Sequence, residues 1–214
     1  MIIYSPIGGE PLTYSLESQP RHCFLMTRLG FPIPKEVTKI RDSINKICKA
    51  KKYKLIDAST DVTGGDYLLK IWKTIASTPI SIGICHEDIP KQTQENIYYE
   101  IGAAQAMGKE TIIIKSIKAE IPSDFKRTEY IEFNNEFNKK LRKYFTRLEK
   151  IAYQYETMAD QFDPSNPILA IDYLKRAFLI CGDERLRKKA LVILQNAGLQ
   201  DRAKNSVEIL AANF

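Results

Sequence analysis

Four short apolar runs, each followed by a segment with helical periodicity, limit what this chain can fold into more than any other feature. The runs are HCFLMT at 22–27, KYKLIDA at 52–58, PISIGIC at 79–85 and TIIIKS at 111–116. A strand that is apolar almost throughout is typical of a sheet covered on both faces, which in practice means parallel strands. A weaker fifth strand is predicted in EYIEF at 129–133.

Helical stripes fill the segments between these runs. Apolar side chains recur there at spacings of three and four residues, which places them on one face of a helix. The first two stripes are Val37, Ile40, Ile44 and Ile47, and Tyr67, Leu68, Ile71, Trp72 and Ile75. A third helix is predicted in NIYYEIGAAQAMGK at 96–109. Strands that alternate with such helices predict right-handed βαβ units. The fold class is therefore α/β: a doubly wound, flavodoxin-like parallel sheet of four or five strands in the order 2-1-3-4, with helices on both faces.

Composition divides the chain into three parts. Residues 1–20 contain three prolines and two glycines without a clear period, and are predicted to form an irregular arm. The α/β domain is expected to span 21–134, and a helical C-terminal unit to span 135–214. The first helix of that unit is predicted to run to about Phe162, where DPSNP at 163–167 ends it.

Most of the net charge of +6 lies in the helical unit, where 14 Lys and Arg residues accompany 9 Asp and Glu residues from Lys139 onward. The stretch KKLRKYFTRLEK at 139–150 contains six bases and one acid. A solvated helix face is the simpler interpretation, and contact with nucleic acid or an acidic partner stays open. Only Tyr144 and Phe145 interleave with these bases, which disfavours a platform for single-stranded nucleic acid.

The sequence lacks the marks of several protein classes. No apolar run approaches the roughly 18 residues of a membrane span, and the N-terminus has no secretory signal pattern, so we expect a cytoplasmic protein without a membrane partner. The four cysteines form no CxxC pair, and His22 and His86 share no ligand spacing, so no metal site is expected. No GxxxxGK[ST] or GxGxxG motif is present, which argues against a glycine loop around a nucleotide phosphate. No bound cofactor is expected.

Sheets of this class bind ligands beyond the carboxyl ends of their strands, near the point where the strand order reverses. The residues predicted to meet a substrate there are Thr27 and Arg28 after the first strand, Asp57 after the second and His86 after the third. The third helix is expected to begin near the same edge, where its free N–H groups favour an anion.

One carboxylate stands in the most apolar part of that third helix. Glu100 lies among Ile97, Tyr98, Tyr99 and Ile101. A carboxylate held rigidly at this edge can attack the anomeric carbon of a sugar, or stabilise the positive charge that develops there when an N-glycosidic bond breaks. The alternative is a glutamate that points to solvent from the first turn, where the helix dipole favours it.

The neighbours of Glu100 suit the first interpretation. Asn96 lies one turn earlier on the same helix face and is predicted to hydrogen-bond a ribose hydroxyl. Tyr98 and Tyr99 are expected to desolvate the carboxylate and to line a base or ribose pocket. Gly102 and the alanines after it are expected to let the helix pack closely on the sheet.

The stretch from Cys23 to Ser116 resembles the superfamily of nucleoside 2-deoxyribosyltransferase-like and TIR-like (Toll/interleukin-1 receptor-like) bacterial domains. These families share an apolar first strand and, after the third strand, the pattern N-x-x-[YF]-E-[LI]-G-x-A-x-[AG]-x-G-K before an apolar fourth strand. In this chain the pattern falls on Asn96, Tyr99, Glu100, Ile101, Gly102, Ala104, Ala106, Gly108 and Lys109.

The resemblance implies a role for one of these residues. In the families, the glutamate before the Ile/Leu-Gly pair is the catalytic carboxylate, so Glu100 would be the nucleophile or the oxocarbenium stabiliser. Relatives often carry an Asp soon after strand three, in a phrase like "aDvT", where this chain has GICHED at 83–88. Either Glu87 or Asp88 substitutes for that Asp, or the contact is absent.

The function that the resemblance implies is cleavage of the N-glycosidic bond of a nucleotide. NAD is the expected substrate rather than a cofactor, for a glycohydrolase or cyclase in a bacterial antiviral or stress response. A nucleoside deoxyribosyltransferase is the same chemistry with another acceptor. The alternatives are a non-catalytic nucleotide sensor that uses the same edge, and a basic adaptor for nucleic acid.

Self-association through the C-terminal helices is also expected, since TIR-like sites are often completed by a neighbouring subunit. A second reason is the apolar surface of the first C-terminal helix, because that helix is expected to be longer than a small sheet can cover. That surface comprises Leu141, Tyr144, Phe145, Leu148, Ile151 and Tyr155.

Overall fold

A computed structural model of the chain describes residues 6, 9, 16–59, 67–125 and 130–196. These residues form two compact units. One unit runs from His22 to Phe145, and the other contains the described residues of 16–21 and 146–196.

The first unit is built on a parallel sheet of five strands in the order β2-β1-β3-β4-β5. The strands are β1 (His22–Met26), β2 (Lys54–Asp57), β3 (Ile80–Cys85), β4 (Glu110–Lys115) and β5 (Tyr130–Glu132). The predicted fold class, the parallel pairing and the order of the first four strands are confirmed, and the weaker fifth strand lies beside β4 at the sheet edge. Because all six residues of β3 are buried, the continuous apolar run correctly indicated a strand covered on both faces.

Three helices connect the strands of this sheet: α1 (Lys35–Ala50), α2 (Tyr67–Ser77) and α3 (Lys91–Ala106). The apolar stripe of α1 is buried at all four predicted positions. Contacts join α2 to α3, so these two helices lie side by side on one face of the sheet. The right-handed connection from β1 to β2 places α1 on the other face, since the chain moves in the opposite direction there.

The pleat of the strands shows which side chains belong to each face. Cys23 of β1 contacts Cys48 of α1, so Cys23 and every second residue from it face α1. Asp57 is paired with Leu25, and its carboxylate binds Arg41 of α1 on that face. Gly83 lies on the opposite face, under α3.

The third helix differs from its prediction in one respect that matters for function. Its N-terminus lies at Lys91, directly after Pro90, rather than near Asn96. Glu100 is therefore in the third turn of α3 and not in its first turn, so the helix N-terminus does not account for a carboxylate at this position.

The last three helices are α4 (Phe137–Phe162), α5 (Pro167–Cys181) and α6 (Glu184–Asn196). The Asn166 side chain caps α5 by accepting a hydrogen bond from the Leu169 N–H, and Pro167 occupies the first turn, where its missing N–H costs nothing. Gly182 ends α5 in the left-handed conformation at φ 69°, which a residue without Cβ adopts without strain. The core of this helical unit comprises Ala159, Ala170, Ile171, Leu174, Ala177, Phe178, Leu186, Ala190 and Ile193.

The part of α4 that belongs to the sheet-containing unit has its apolar side chains buried against the rest of that unit. Leu141, Tyr144 and Phe145 are buried within the chain, and the ring of Phe145 packs on Tyr53 with centroids 5.0 Å apart. These three residues were one reason for expecting self-association. Because they are buried, they offer no apolar surface to a partner. Self-association stays a prediction that rests on the resemblance.

Within the described residues, no helix is both long and apolar enough to cross a lipid bilayer.

Candidate active site

The strand order reverses between β1 and β3. From β1 the chain passes to β2 on one side, and from β3 it passes to β4 on the other. Adjacent parallel strands whose connections diverge in this way leave a crevice at their carboxyl ends, which is where ligands bind in open α/β sheets. We call this region the switch-point crevice; it lies where Thr27 follows β1 and His86 follows β3.

Glu100 reaches toward this crevice because of the way α3 crosses the sheet. Ile97 and Ile101 rest on β3 over Gly83. Tyr98 lies on the β4 side of that contact, where its ring stacks on Phe125 at 5.3 Å. On an α-helix, positions 98 and 100 fall on opposite sides of the line from 97 to 101. Glu100 therefore projects toward β1 and α2, both of which contact α3.

The carboxyl of Glu100 is largely buried and has no partner among the described residues. It accepts no hydrogen bond and forms no ion pair with any of them. Burial alone raises its pKa to about 7 from the ordinary 4.5. A buried carboxylate without a partner destabilises a fold, so such groups concentrate where a ligand or a reaction requires them. At neutral pH this carboxyl is poised between its charged and neutral forms.

Tyr67, the first residue of α2, is an ionisable side chain close enough to Glu100 for the two to interact electrostatically. The pKa of its hydroxyl is raised by partial burial, then by the negative charges of Glu100 and of Asp57. More than half of the side chain is exposed, so its ring is accessible to a ligand. In the sequence, Tyr67 stood out only as part of a helical stripe. Its position directly at the start of the helix that leaves the carboxyl edge was the signal that could have identified it.

Asp57 is committed to protein contacts. Its side chain is 6% exposed, and its oxygens accept hydrogen bonds from Arg41, from the Ser59 N–H and from the Ser59 hydroxyl. These contacts hold the end of β2 to α1. The structure thus places Asp57 at the predicted edge, with a carboxylate that already has its partners.

Thr27 and Arg28 lie at the carboxyl end of β1 as predicted. The hydroxyl of Thr27 is buried and has no hydrogen-bond partner among the described residues. Such a group is uncommon in folded proteins and is free to bond a ligand hydroxyl. Arg28 donates from Nε to the Gly30 carbonyl at 3.0 Å, which leaves the outer guanidinium nitrogens available.

His86 follows β3 and is almost completely buried. Its Nδ1 accepts a hydrogen bond from the Asp88 N–H at 3.1 Å. Glu87 turns toward β4, where the Ser116 hydroxyl donates to it and holds the pKa of its carboxyl below the usual range. Of the two acids considered as substitutes for the family's Asp, Glu87 is therefore bound to Ser116, and Asp88 is exposed.

The two remaining predicted residues, Asn96 and Tyr99, are both exposed on α3. Asn96 shares the side of the helix that carries Glu100 and lies one turn closer to the edge. Tyr99 lies on the face of α3 away from the sheet, and Tyr98 donates to the Glu120 carbonyl on the β4 side. Neither tyrosine buries Glu100, contrary to expectation, because successive helix positions turn by about 100°.

Phe31 is a further residue at this edge that the sequence analysis missed. It lies in the connection from β1 to α1, and its side chain is 90% exposed. Pro32 and Pro34 follow it and restrict the backbone of the connection. An exposed aromatic ring on the connection that leaves the carboxyl end of β1 offers a surface for stacking.

Glu100 should make the stability of the chain depend on pH. Its pKa is about 7 when folded and near 4.5 when unfolded, so stability is fully present below pH 4.5 and falls as the pH rises through 7, by up to about 3 kcal/mol. Glu100→Gln removes this loss. We expect the Tm of the variant, relative to wild type, to increase between pH 4.5 and about pH 8, as measured by circular dichroism. A Tm difference that stays constant over this range would contradict the assigned burial.

Comparison with known proteins adds a likeness of fold. No protein-family model matches the sequence, and no curated protein matches it. One similar solved structure is a 2-deoxyribosyltransferase from the psychrotolerant bacterium Bacillus psychrosaccharolyticus, described as a biocatalyst for the synthesis of antiviral and antitumoral nucleosides. The match has 12% identity and a TM-score of 0.42, and it covers 56% of this chain and 90% of that chain. A likeness this distant carries no argument about function, and it gives no support to the TIR-like part of the resemblance.

Proposed function

We propose that this protein cleaves the N-glycosidic bond of a nucleoside, with Glu100 as the catalytic carboxylate. The observation that carries the proposal is the Glu100 carboxyl itself, which is largely buried, lacks a partner among the described residues and projects toward the switch-point crevice. Transfer of the sugar to a second nucleobase is the preferred form of the reaction, and transfer to water is the hydrolytic form.

The chemistry follows from a carboxylate at the anomeric carbon. An oxygen of ionised Glu100 attacks C1′, the bond from C1′ to the base nitrogen breaks, and its electron pair stays on the base, which takes up a proton. A second base or water then attacks C1′, loses a proton and releases the Glu100 carboxylate. The positive charge that develops on the sugar in both steps is stabilised by the negative carboxylate.

The charges around the crevice favour a substrate without phosphates. The negative charges of Glu100 and Asp57 both raise the pKa of the Tyr67 hydroxyl. The positive charge of Arg41 is already paired with Asp57. A pyrophosphate next to these two carboxylates would be repelled by them, so a neutral nucleoside is preferred to NAD, the substrate expected from the sequence.

The proposed reaction is tested by incubating the protein with each of the four common 2′-deoxynucleosides, with and without a second free base, and by separating the products chromatographically. Release of free base, and formation of a new nucleoside when an acceptor base is present, would support the proposal. NAD in a parallel incubation, assayed for nicotinamide, separates the two substrate classes. Nucleoside binding without any release would overturn the enzymatic proposal in favour of a sensor.

Phe31 is expected to contribute to substrate binding rather than to chemistry. Phe31→Ala removes an exposed ring and should raise KM for the nucleoside about three- to tenfold, with kcat nearly unchanged, because stacking on a base is made equally in the ground and transition states. Phe31→Trp keeps an aromatic surface and is the matched control. An unchanged KM in Phe31→Ala would show that the ring lies outside the binding site.

A further inference from the structure

The contact between α3 and β3 is closer than a side chain on the strand would allow. Gly83 is buried in β3, with Ile82 and Ile84 on either side of it. A Cβ at position 83 would overlap the Cδ1 of Ile101 and would lie 3.2 Å from the Cγ2 of Ile97. Both isoleucines are on the face of α3 that packs against the sheet. The helix therefore rests so close to the strand that any side chain at position 83 would require the Cδ1 of Ile101 to turn away and both isoleucines to shift.

Rotation of the Ile101 Cδ1 alone would not make room for an added methyl group at position 83. Ile101 is fully buried and Ile97 nearly so, and the surrounding core is close-packed. The Cδ1 of Ile101 is the end of a side chain, but its Cγ1 would also be only 3.3 Å from the new Cβ. A β-branched residue in a helix has one strongly preferred χ1 rotamer, so the Cγ2 of Ile97 moves only when the helix moves.

The residue beside this contact is Glu100, directly before Ile101 in the chain. We propose that Gly83 is a positioning residue for Glu100, because the absent side chain lets α3 approach β3 and so sets the height of the carboxyl above the crevice. The inference depends on the proposed function for its catalytic meaning. A displacement of about 1 Å can cost about a hundredfold in rate when a reacting group must be aligned.

Gly102 provides the contrast within the same helix. Close packing of α3 was expected to depend partly on Gly102, and this was wrong for that glycine: a Cβ there would meet no atom of the described residues within 4 Å. The closest approach is made by the glycine of the strand instead. Gly102→Ala therefore adds the same methyl group to α3 where space exists, and it serves as the matched control.

The experiment compares wild type with Gly83→Ala, Gly102→Ala, Ile101→Val and the double variant Gly83→Ala/Ile101→Val. Titration of the Glu100 carboxyl is followed by ¹³C NMR of protein labelled at glutamate carboxyl carbons, with Glu100→Gln to assign the signal. Tyr67 of α2 interacts electrostatically with this carboxyl. Cys85 of β3 and Lys115 of β4 interact with each other on the opposite side of α3, beside Tyr98. The kcat and KM for base release are measured on the same samples.

We expect Gly83→Ala to lift α3, admit water and lower the pKa of Glu100 from about 7 toward its ordinary 4.5. Its kcat should fall about ten- to a hundredfold with KM within about threefold of wild type. Removal of Cδ1 in the double variant should restore part of both values, and Gly102→Ala should match wild type. A wild-type titration of Glu100 in Gly83→Ala would overturn the positioning role.

The NMR titration separates this inference from the proposed function. If wild type releases no base but Gly83→Ala still shifts the Glu100 titration and Ile101→Val restores it, the proposed function fails and the positioning stands. If base release depends on Glu100 while Gly83→Ala leaves the titration and kcat unchanged, the positioning fails and the proposed function stands. Should Gly83→Ala not fold, a double variant that folds with the wild-type Glu100 titration and the wild-type kcat would support the same contact. A double variant that folds with the wild-type titration but with a kcat well below that of wild type would overturn it.

Discussion

Glu100→Gln is expected to lower kcat for base release at least about a hundredfold, which corresponds to about 2.7 kcal/mol of transition-state stabilisation. Glutamine keeps the size of the side chain but cannot attack the anomeric carbon or carry a negative charge. The positive charge on the sugar develops only as the bond breaks, so the loss should fall on kcat, with KM changed little. Steady-state measurement of both constants on a cleaved nucleoside makes the distinction.

The control for this variant lies on the same helix. Glu95 is exposed on α3, and Glu95→Gln removes the same charge from the chain without touching the crevice. It should therefore retain the kcat of wild type. A Glu100→Gln protein with near-normal kcat would contradict the assignment of Glu100, and an equal loss in both variants would attribute the effect to net charge.

Arg41→Ala is expected to destabilise the chain by about 2–3 kcal/mol. The Asp57 side chain is 6% exposed and binds Arg41, which is itself 37% exposed. Removal of one partner leaves a buried carboxylate with less compensation, which costs far more than the pair contributes as a whole. The contacts from Ser59 remain and keep the effect below that of a fully isolated charge. Urea unfolding at neutral pH, with an unchanged m-value, gives the free energy.

Two comparisons make the Arg41 result specific. Lys39→Ala removes another base from α1, one whose pair with Glu36 is exposed, and should cost less than about 0.5 kcal/mol. Arg41→Ala combined with Asp57→Asn removes the uncompensated charge and should recover part of the loss. Equal effects of Arg41→Ala and Lys39→Ala would contradict a special role for the buried pair.

Local patterns in the sequence were sufficient for the architecture of the sheet. Continuous apolar runs predicted buried parallel strands, and stripes at helical spacing predicted the helices between them, because burial on two faces and burial on one face leave different periods in the chain. The right-handed crossover rule then restricted the strand order, and the structure has that order. Glu100 could also be singled out from sequence, since a carboxylate within an apolar stretch conflicts with an ordinary helix surface.

What surrounds Glu100 was decided by tertiary structure. Tyr98 and Tyr99 were expected to bury it, yet Tyr98 points to the β4 side and Tyr99 to solvent. The tyrosine that interacts electrostatically with Glu100 is Tyr67, from another helix. Gly102 was expected to allow close packing, whereas the approach depends on Gly83, which lies on a strand many residues earlier. Periodicity reports only which face of an element is apolar. The partner of that face, and the distance at which the two pack, depend on side chains far apart in the chain and are set when the sheet and helices assemble.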